Sequence, residues 1–247
     1  HLVAVIRERQ QTTFQSVNHL GTANVVTAAK QAGVKHFIHV SANGVTADRR
    51  FRYLYSKWLG EQEVINSGLP FTILRPTIMF GPGDEFLNTL AGFAKLLPIA
   101  PIAGAGRNMY QPISVEDAAR CLALSVDRED LIGKVLEIGG PERISYNDIA
   151  SIVAQALGKP RWRFHVPLWS MYLVASALQL VQPRPAITVD QLRMLGIRNV
   201  GELGMVEEEF GFTPKGLKGN IDFVKSVTIT DGLKIAMGFM PSRIRDH

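Results

Sequence analysis

The sequence predicts an α/β protein: a three-layer domain on a parallel sheet, followed by a small, mostly helical cap. The first half alternates strand, helix, strand, helix, strand, and its strands are continuous apolar runs without polar alternation. Such runs suit a sheet covered on both faces, and the amphipathic helices between them are the long crossovers that parallel strands need. The length of 247 residues, with 46 % hydrophobic and 20 % charged residues, is ample for a sizeable core and excludes a disordered or fibrous chain.

Taken in order, His1–Ile6 reads as a strand already under way, with no signal peptide before it, so the chain is expected to be a fragment. A helix follows over about Val17–Ala32, its stripe placed on Val25, Ala28, Ala29 and Ala32, and Gly33 ends it. Lys35–Ser41 is the next strand, Arg52–Asn66 a helix stopped by Ser67-Gly68, and Pro70–Pro76 a strand closed by proline. Helices are then expected near Glu85–Leu97 and after Ser114, the latter with a stripe on Val115, Ala118, Ala119, Leu122 and Val126, with an extended piece Asn108–Ile113 between them. Lys134–Gly139 is a further strand. Ser145 with Asp148, and Thr188 with Gln191, have the spacing of reciprocal helix caps, the second opening a short helix Val189–Leu195. Residues 1–160 are therefore assigned to the sheet domain, with cap insertions from about residue 82, and 161–247 to the helical cap and tail.

The net charge of +5 is scattered, with no run of five cations, and nucleic-acid binding is not expected. One cysteine, Cys121, cannot form an internal disulfide, which fits a reducing compartment and a cytoplasmic protein. The longest uncharged apolar stretch, Pro167–Val181, is shorter than the roughly 18–20 residues that span a bilayer, so no transmembrane helix is expected. Arg161–Phe164 and the tail Asp231–Arg245 mix cations with large apolar groups, a composition suited to the surface of a membrane's inner face or to a hydrophobic partner, and equally to ordinary cap packing.

The chemistry concentrates in Arg52-Tyr-Leu-Tyr-Ser-Lys-Trp-Leu-Gly-Glu61. On a helix, Tyr53 and Lys57 are one turn apart on one face, where an ammonium can approach a phenol oxygen or a ribose hydroxyl. A tyrosine so placed can exchange a proton with a carbonyl or alcohol while a nicotinamide exchanges the hydride. The same helix also permits a plain Lys57–Glu61 pair at i+4. The helix starts about ten residues beyond a strand, near the carboxyl ends at which open α/β sheets bind ligands. Asn24 is placed on the buried stripe of the preceding helix, where its amide needs a partner. Glu116 and Asp117 suit a helix N-terminus rather than a catalytic carboxylate pair. The histidines 36, 39 and 165 lack metal-ligand spacing, no metal site is expected, and no G-x-S-x-G hydrolase turn occurs.

Gly21-Thr-Ala-Asn24, Phe37-Ile-His-Val-Ser41, Tyr53/Lys57/Glu61, Leu74-Arg-Pro76, Phe80-Gly-Pro-Gly83, Val115-Glu-Asp-Ala-Ala119 and Glu137-Ile-Gly-Gly-Pro141 follow one another in an order that resembles extended and atypical short-chain dehydrogenases/reductases, the group that includes NAD-dependent epimerases and dehydratases. Ile187–Leu195 and Phe210–Pro214 look most like the nucleotide-binding accessory subunit of respiratory complex I and its bacterial relatives. The resemblance implies a Rossmann-like sheet, NAD or NADP as cofactor, Tyr53 as proton donor and acceptor, Lys57 gripping ribose, Ser41 orienting a carbonyl, and Pro76 touching the cofactor.

Two departures qualify it. The glycine-rich phosphate turn after a first strand is absent, and by the resemblance the chain begins at the family's fourth strand. Gly81–Phe86 and Gly104–Met109 each lack a third glycine and do not open a first βαβ unit, so they read as tight turns or a substrate-side loop. The family's catalytic hydroxyl position aligns with Ala42, with Ser41 one residue early, and alanine cannot hydrogen-bond a carbonyl. The expectation is thus a dinucleotide-binding, accessory-type chain with weak or no catalysis, partnered by a small-molecule substrate or a respiratory complex. An active reductase or epimerase using Tyr53 and Lys57, and a non-enzymatic NADP(H) sensor, are the alternatives.

Overall fold

The computed structural model describes residues 1–9, 11–97, 99–158, 162–182, 185, 187–239, 241 and 244. The chain divides into two compact units that interleave in sequence: His1–Thr77, Glu116–Gly139 and Gly201–Thr213 form one, Ile78–Val115, Gly140–Val200 and Pro214–His247 the other.

The first unit is built on a three-stranded parallel sheet. Its strands β1 (Phe37–Val40), β2 (Phe71–Pro76) and β7 (Val135–Ile138) lie in the order β1-β2-β7, with Phe37 opposite Phe71 and Pro76 opposite Ile138. Two helices supply the crossovers, α1 (Leu20–Gln31) before β1 and α2 (Arg52–Ile65) between β1 and β2. Val26 and Ala29 of α1 and Val64 of α2 meet Phe37 and Ile73 in one apolar cluster. Helix α4 (Val115–Leu124) carries Glu116 and Asp117 in its first turn, as its dipole favours. Its buried residues are Asp117, Ala118 and Cys121, while Val115 and Val126 are exposed, so its inner stripe is rotated from the one expected. Helix α8 (Met205–Phe210) lies against β7.

The expected strand His1–Ile6 does not form. The His1 amine donates to the Ile38 carbonyl at 2.7 Å and the Val40 amide donates to the His1 carbonyl at 3.0 Å, after which the chain leaves β1 and Leu2, Val3 and Ile6 are exposed. Before α1 the chain makes a π-helical turn, Phe14–His19, closed by a reciprocal cap between Thr13 and Ser16. That wider turn shifts the phase of the helix behind it. The buried positions are therefore Asn18, Thr22, Val26 and Ala29; Val25, Asn24 and Ala28 face outward.

Among the described residues the second unit holds three two-stranded pairs and several helices. Strands β3 (Met79–Phe80) and β6 (Ile113–Ser114) pair in parallel, β5 (Met109–Tyr110) and β8 (Ile144–Ser145) antiparallel. Strand β9 (Trp162–Val166) pairs in parallel with β4 (Ile99–Ala103) across a segment expected to be helical from Arg161 onward; Arg161 itself lies outside the described residues. Helix α3 (Glu85–Leu96) is capped by Asp84, whose carboxylate accepts the Leu87 amide at 2.6 Å, and α5 (Tyr146–Ala156) by Ser145 as expected. Gly81–Asp84 is thus a capped turn rather than a phosphate loop. Helix α7 (Val189–Met194) opens with the expected Thr188–Gln191 capping box. Two further helices, α6 (Leu168–Val181) and α9 (Ile229–Ala236), complete the unit, and α9 crosses α3 with Gly92 against Gly232.

Gly60 on α2 is where the helix meets the turn before α1. A Cβ there would stand 2.7 Å from the Asn18 carbonyl oxygen and 3.2 Å from Thr22 Oγ1. Gly60→Ala is expected to destabilise the chain by roughly 1–3 kcal/mol through backbone displacement, despite alanine's better helix propensity. Urea unfolding measures this, and a stabilised variant would contradict the close approach.

Candidate active site

The inner face of α2 is unusual for its polarity. Leu54, Lys57, Glu61 and Val64 recur at i, i+3, i+7 and i+10 and are all buried, so an ammonium and a carboxylate occupy a stripe that would ordinarily be apolar. Each has a partner. Lys57 Nζ donates to the Val40 carbonyl oxygen at 2.8 Å, at the carboxyl end of β1. Glu61, fully buried, receives the Arg75 guanidinium of β2 in a two-point bridge, Nε to Oε1 at 2.8 Å and an η-nitrogen to Oε2 at 2.6 Å. The Lys57–Glu61 pair that the helix spacing permits thus gives way to two cross-element contacts, although Glu61 still favours the charge on Lys57. Burial nevertheless dominates and pushes the lysine down to about 8.

Pairing with β2 continues past the end of β1. The Ser41 amide donates to the Leu74 carbonyl at 2.8 Å and the Asn43 amide to the Pro76 carbonyl at 2.9 Å. Burial alternates in step: Phe37, His39, Ser41 and Asn43 are buried, while Ile38, Val40 and Ala42 are partly exposed. Side chains of an extended segment alternate between faces, so His39, Ser41 and Asn43 share one and Ala42 takes the other. His39 Nε2, Ser41 Oγ and Asn43 Oδ1 are buried without a hydrogen-bond partner among the described residues. The other ring nitrogen of His39 lies 3.2 Å from His1 Nδ1. Burial, then the nearby Lys57 charge, holds His39 well below the usual imidazole range, so it is neutral at pH 7.

Tyr53 opens the same helix. Its ring meets that of Phe14 edge-on, with centroids 5.9 Å apart, and burial pushes the phenol up to about 12. The Ser56 hydroxyl donates to the Tyr53 carbonyl at 2.6 Å and accepts from Asn18 Nδ2 at 3.0 Å. The Asn18 amide is fully engaged, also bonding both main-chain groups of Val5 at 2.8 and 2.9 Å. This is the buried asparagine that the sequence reading placed at Asn24, which is exposed. Its position four residues before Thr22, and eight before Val26, is the helical spacing that marks it. Pro76 is buried opposite Ile138 at the carboxyl end of β2.

Residues 2–85 match a family model described as NAD(P)H-binding, and this segment contains Ser41, Tyr53, Lys57 and Pro76. Over 148 residues the chain is 30 % identical to the mitochondrial NADH dehydrogenase [ubiquinone] 1 alpha subcomplex subunit 9 of Arabidopsis thaliana, covering 59 % of this chain and 37 % of that protein. It is 26 % identical to the UDP-glucose 4-epimerase of Vibrio cholerae, covering 64 % and 54 % of the two chains. In three dimensions it resembles MoeE5 in complex with UDP-glucose and NAD, with a TM-score of 0.68 at 22 % identity over 93 % of this chain and 77 % of that one. Residues 2–85 are thus an NAD(P)H-binding-type segment, and the chain shares its fold with MoeE5.

The chain spans between about a third and a half of the length of these two curated relatives. Its Rossmann-like sheet, the fold class expected, brings Ser41, Lys57 and Pro76 to the carboxyl ends of β1 and β2. Sequence reasoning missed His39, Asn43, Asn18 and the Glu61–Arg75 bridge. Among the described residues no group of three or more His, Cys, Asp or Glu side chains could hold a metal ion.

Two measurements follow. Arg75→Ala leaves the Glu61 carboxylate buried without its counter-charge and is expected to cost about 3–5 kcal/mol of stability in urea titration, with Glu61→Gln/Arg75→Met together recovering much of it. Lys57 titrates near 8 in the folded chain against an ordinary 10.5. The unfolded state holds more protons between these values, so stability rises with pH across that window, by up to about 3 kcal/mol from this group. Subtracting the unfolding free energies of Lys57→Met from those of the natural chain at each pH isolates this slope; a flat difference would disprove the buried, depressed lysine.

Proposed function

We propose that the carboxyl ends of β1 and β2 bind the nicotinamide-ribose portion of an NAD or NADP molecule, and that the chain is an accessory-type short-chain dehydrogenase/reductase with weak or no catalysis. The fit rests on the polar atoms left over there. A buried acceptor or hydroxyl without a partner costs about 1–3 kcal/mol, and Ser41 Oγ and Asn43 Oδ1 carry that cost beside the strand ends where open α/β sheets receive ligands. Lys57, Tyr53, Ser41 and Pro76 would line this end of the dinucleotide. A nicotinamide supplies hydride donation or acceptance when bound; the residues here hold and orient it.

The observation that carries weak catalysis is the state of Tyr53. A tyrosine acts as proton donor and acceptor near neutral pH when a neighbouring cation lowers its phenol, yet here burial raises it to about 12 and Lys57 is engaged with the Val40 carbonyl. The strand alternation adds to this. Ser41 lies on the face opposite Ala42, so it cannot substitute for a hydroxyl at position 42 without turning the strand over.

The similarity to a mitochondrial NADH dehydrogenase subunit supports an accessory place in a respiratory assembly, and in this reading the chain lies at the inner face of the membrane. In this reading the helices of 161–247, with the inserted segment from about residue 82, form the substrate or partner cap.

Calorimetric titration of the chain with NADH and NADPH tests the proposal. Binding is expected for one of the two, weakened about tenfold or more by Lys57→Ala and little changed by Tyr53→Phe, with no turnover of the bound nucleotide. Failure of both nucleotides to bind would overturn the proposal. Turnover that drops at least about tenfold in Tyr53→Phe would instead establish the active reductase or epimerase.

A further inference from the structure

The charges of the first unit are sorted between its parts. Residues 1–77, which supply β1, β2, α1 and α2, hold nine lysines and arginines against four acidic residues; 116–139 and 201–213, which supply β7, most of α4 and α8, hold three against ten. Strands β1 and β7 are opposite edges of the sheet. The charges also gather toward opposite ends. Residues 44–51 leave the carboxyl end of β1, so Arg49, Arg50 and Arg52 stand at the end of the sheet where Lys57 meets the Val40 carbonyl, and an ion pair of Arg52 with Glu8 brings Arg7 and Arg9 beside them. Asp127, Glu129 and Asp130 precede β7 and lie toward its amino end, where Arg128 and Lys134 both pair with Glu209 of α8.

The rim at the carboxyl end of β1 thus carries five arginines, at 7, 9, 49, 50 and 52, against two acids, Glu8 and Asp48. Both acids are engaged within the rim, Glu8 by Arg52 and Asp48 by Arg50 at 2.6 Å. Aromatic rings support three of the guanidinium groups: Arg49 lies over Tyr55 at 5.6 Å, Arg50 over Phe51 at 5.9 Å and Arg52 over Phe14 at 5.7 Å. Arg49 and Arg50 are nevertheless exposed, the Arg50 side chain 82 % so. Of the acids nearer the strand ends, Glu61 is paired with Arg75, and Glu137 stands opposite Arg75 in the sheet. A cationic rim at one corner with acids toward the far corner gives the unit a field that draws anions to the strand ends from beyond contact distance. NAD and NADP are such anions, because their phosphates are ionised at neutral pH.

We propose that this separation of charge steers the anionic dinucleotide to the strand ends, and that Arg49 and Arg50 set the rate of its arrival without gripping the bound molecule. Such steering rests on the nucleotide-binding role proposed for the strand ends and adds to it the residues that govern association. A guanidinium acting through its field can be replaced by another cation, whereas one that holds a phosphate in a two-point contact cannot be replaced by an ammonium at equal strength. Steering therefore shows in the association rate and its salt dependence, and gripping in the dissociation rate.

Stopped-flow mixing of the whole chain with whichever of NADH and NADPH binds in the calorimetric titration tests this, with reduced-nicotinamide fluorescence as the signal. The association rate constant is expected to fall about tenfold or more between roughly 20 mM and roughly 0.5 M sodium chloride. Arg49→Gln/Arg50→Gln should slow association about threefold to tenfold at the lower salt, match the natural chain at the higher salt, and leave the dissociation rate within about twofold. Arg49→Lys/Arg50→Lys, which keeps both charges, should restore the association rate. Salt-independent association, a glutamine variant as fast as the natural chain at low salt, or an effect confined to the dissociation rate would each overturn the steering while leaving nucleotide binding intact. Binding of neither nucleotide would overturn the proposed function, and the steering with it.

Discussion

A lysine and a glutamate sealed under one helix set the geometry on which the site depends. Because Lys57 must reach the Val40 carbonyl and Glu61 must reach Arg75, α2 is fixed both along its axis and about it against β1 and β2. An apolar stripe would tolerate a small rotation at little cost, since dispersion and burial are not directional. Here the same rotation would strand a buried charge. The bridge adds little to net stability, because taking both ions out of water offsets their attraction. What it supplies is register, and Gly60 against the Asn18 carbonyl extends that register to the turn before α1.

With α2 fixed, the strand-end chemistry follows from a two-residue period. Pairing with β2 carries the extended segment to Asn43, so His39, Ser41 and Asn43 fall on one side and Val40 and Ala42 on the other. A single-residue offset in an alignment is therefore not a small displacement in space; it exchanges one face of the sheet for the other. Ser41 and Ala42 illustrate this, since adjacency in sequence makes one look like a replacement for the other while the backbone directs them oppositely.

Much of this architecture was legible. The alternation of apolar runs and amphipathic segments located α2, β1, β2 and β7 to within about two residues at each end, and polar spacing alone located the caps at Ser145 and Thr188. The errors have physical causes. Helix α1 is rich in alanine and valine on several faces, and the π-helical turn before it breaks the 3.6-residue period, so the inward side was assigned to Asn24 rather than Asn18. Strand β9 mixes arginine, histidine and aromatic residues, and its partner β4 lies some sixty residues earlier, a non-local pairing that no window along the chain reports. The Glu61–Arg75 bridge joins helix to strand across fourteen residues and was hidden by a more local reading, the i+4 pair with Lys57.

The energetics of the site argue for its use. A chain selected for stability alone would place apolar side chains where Ser41 and Asn43 leave oxygens unpaired, and would not bury a lysine that loses proton affinity there. Under the proposed function such polar groups are kept for a partner outside the fold, and two of them lie just beyond a parallel strand, where open α/β sheets receive ligands. Tyr53 points the same way by contrast. Its phenol is raised by burial, which fits the proposed holding of a polar molecule better than the movement of a proton to or from it.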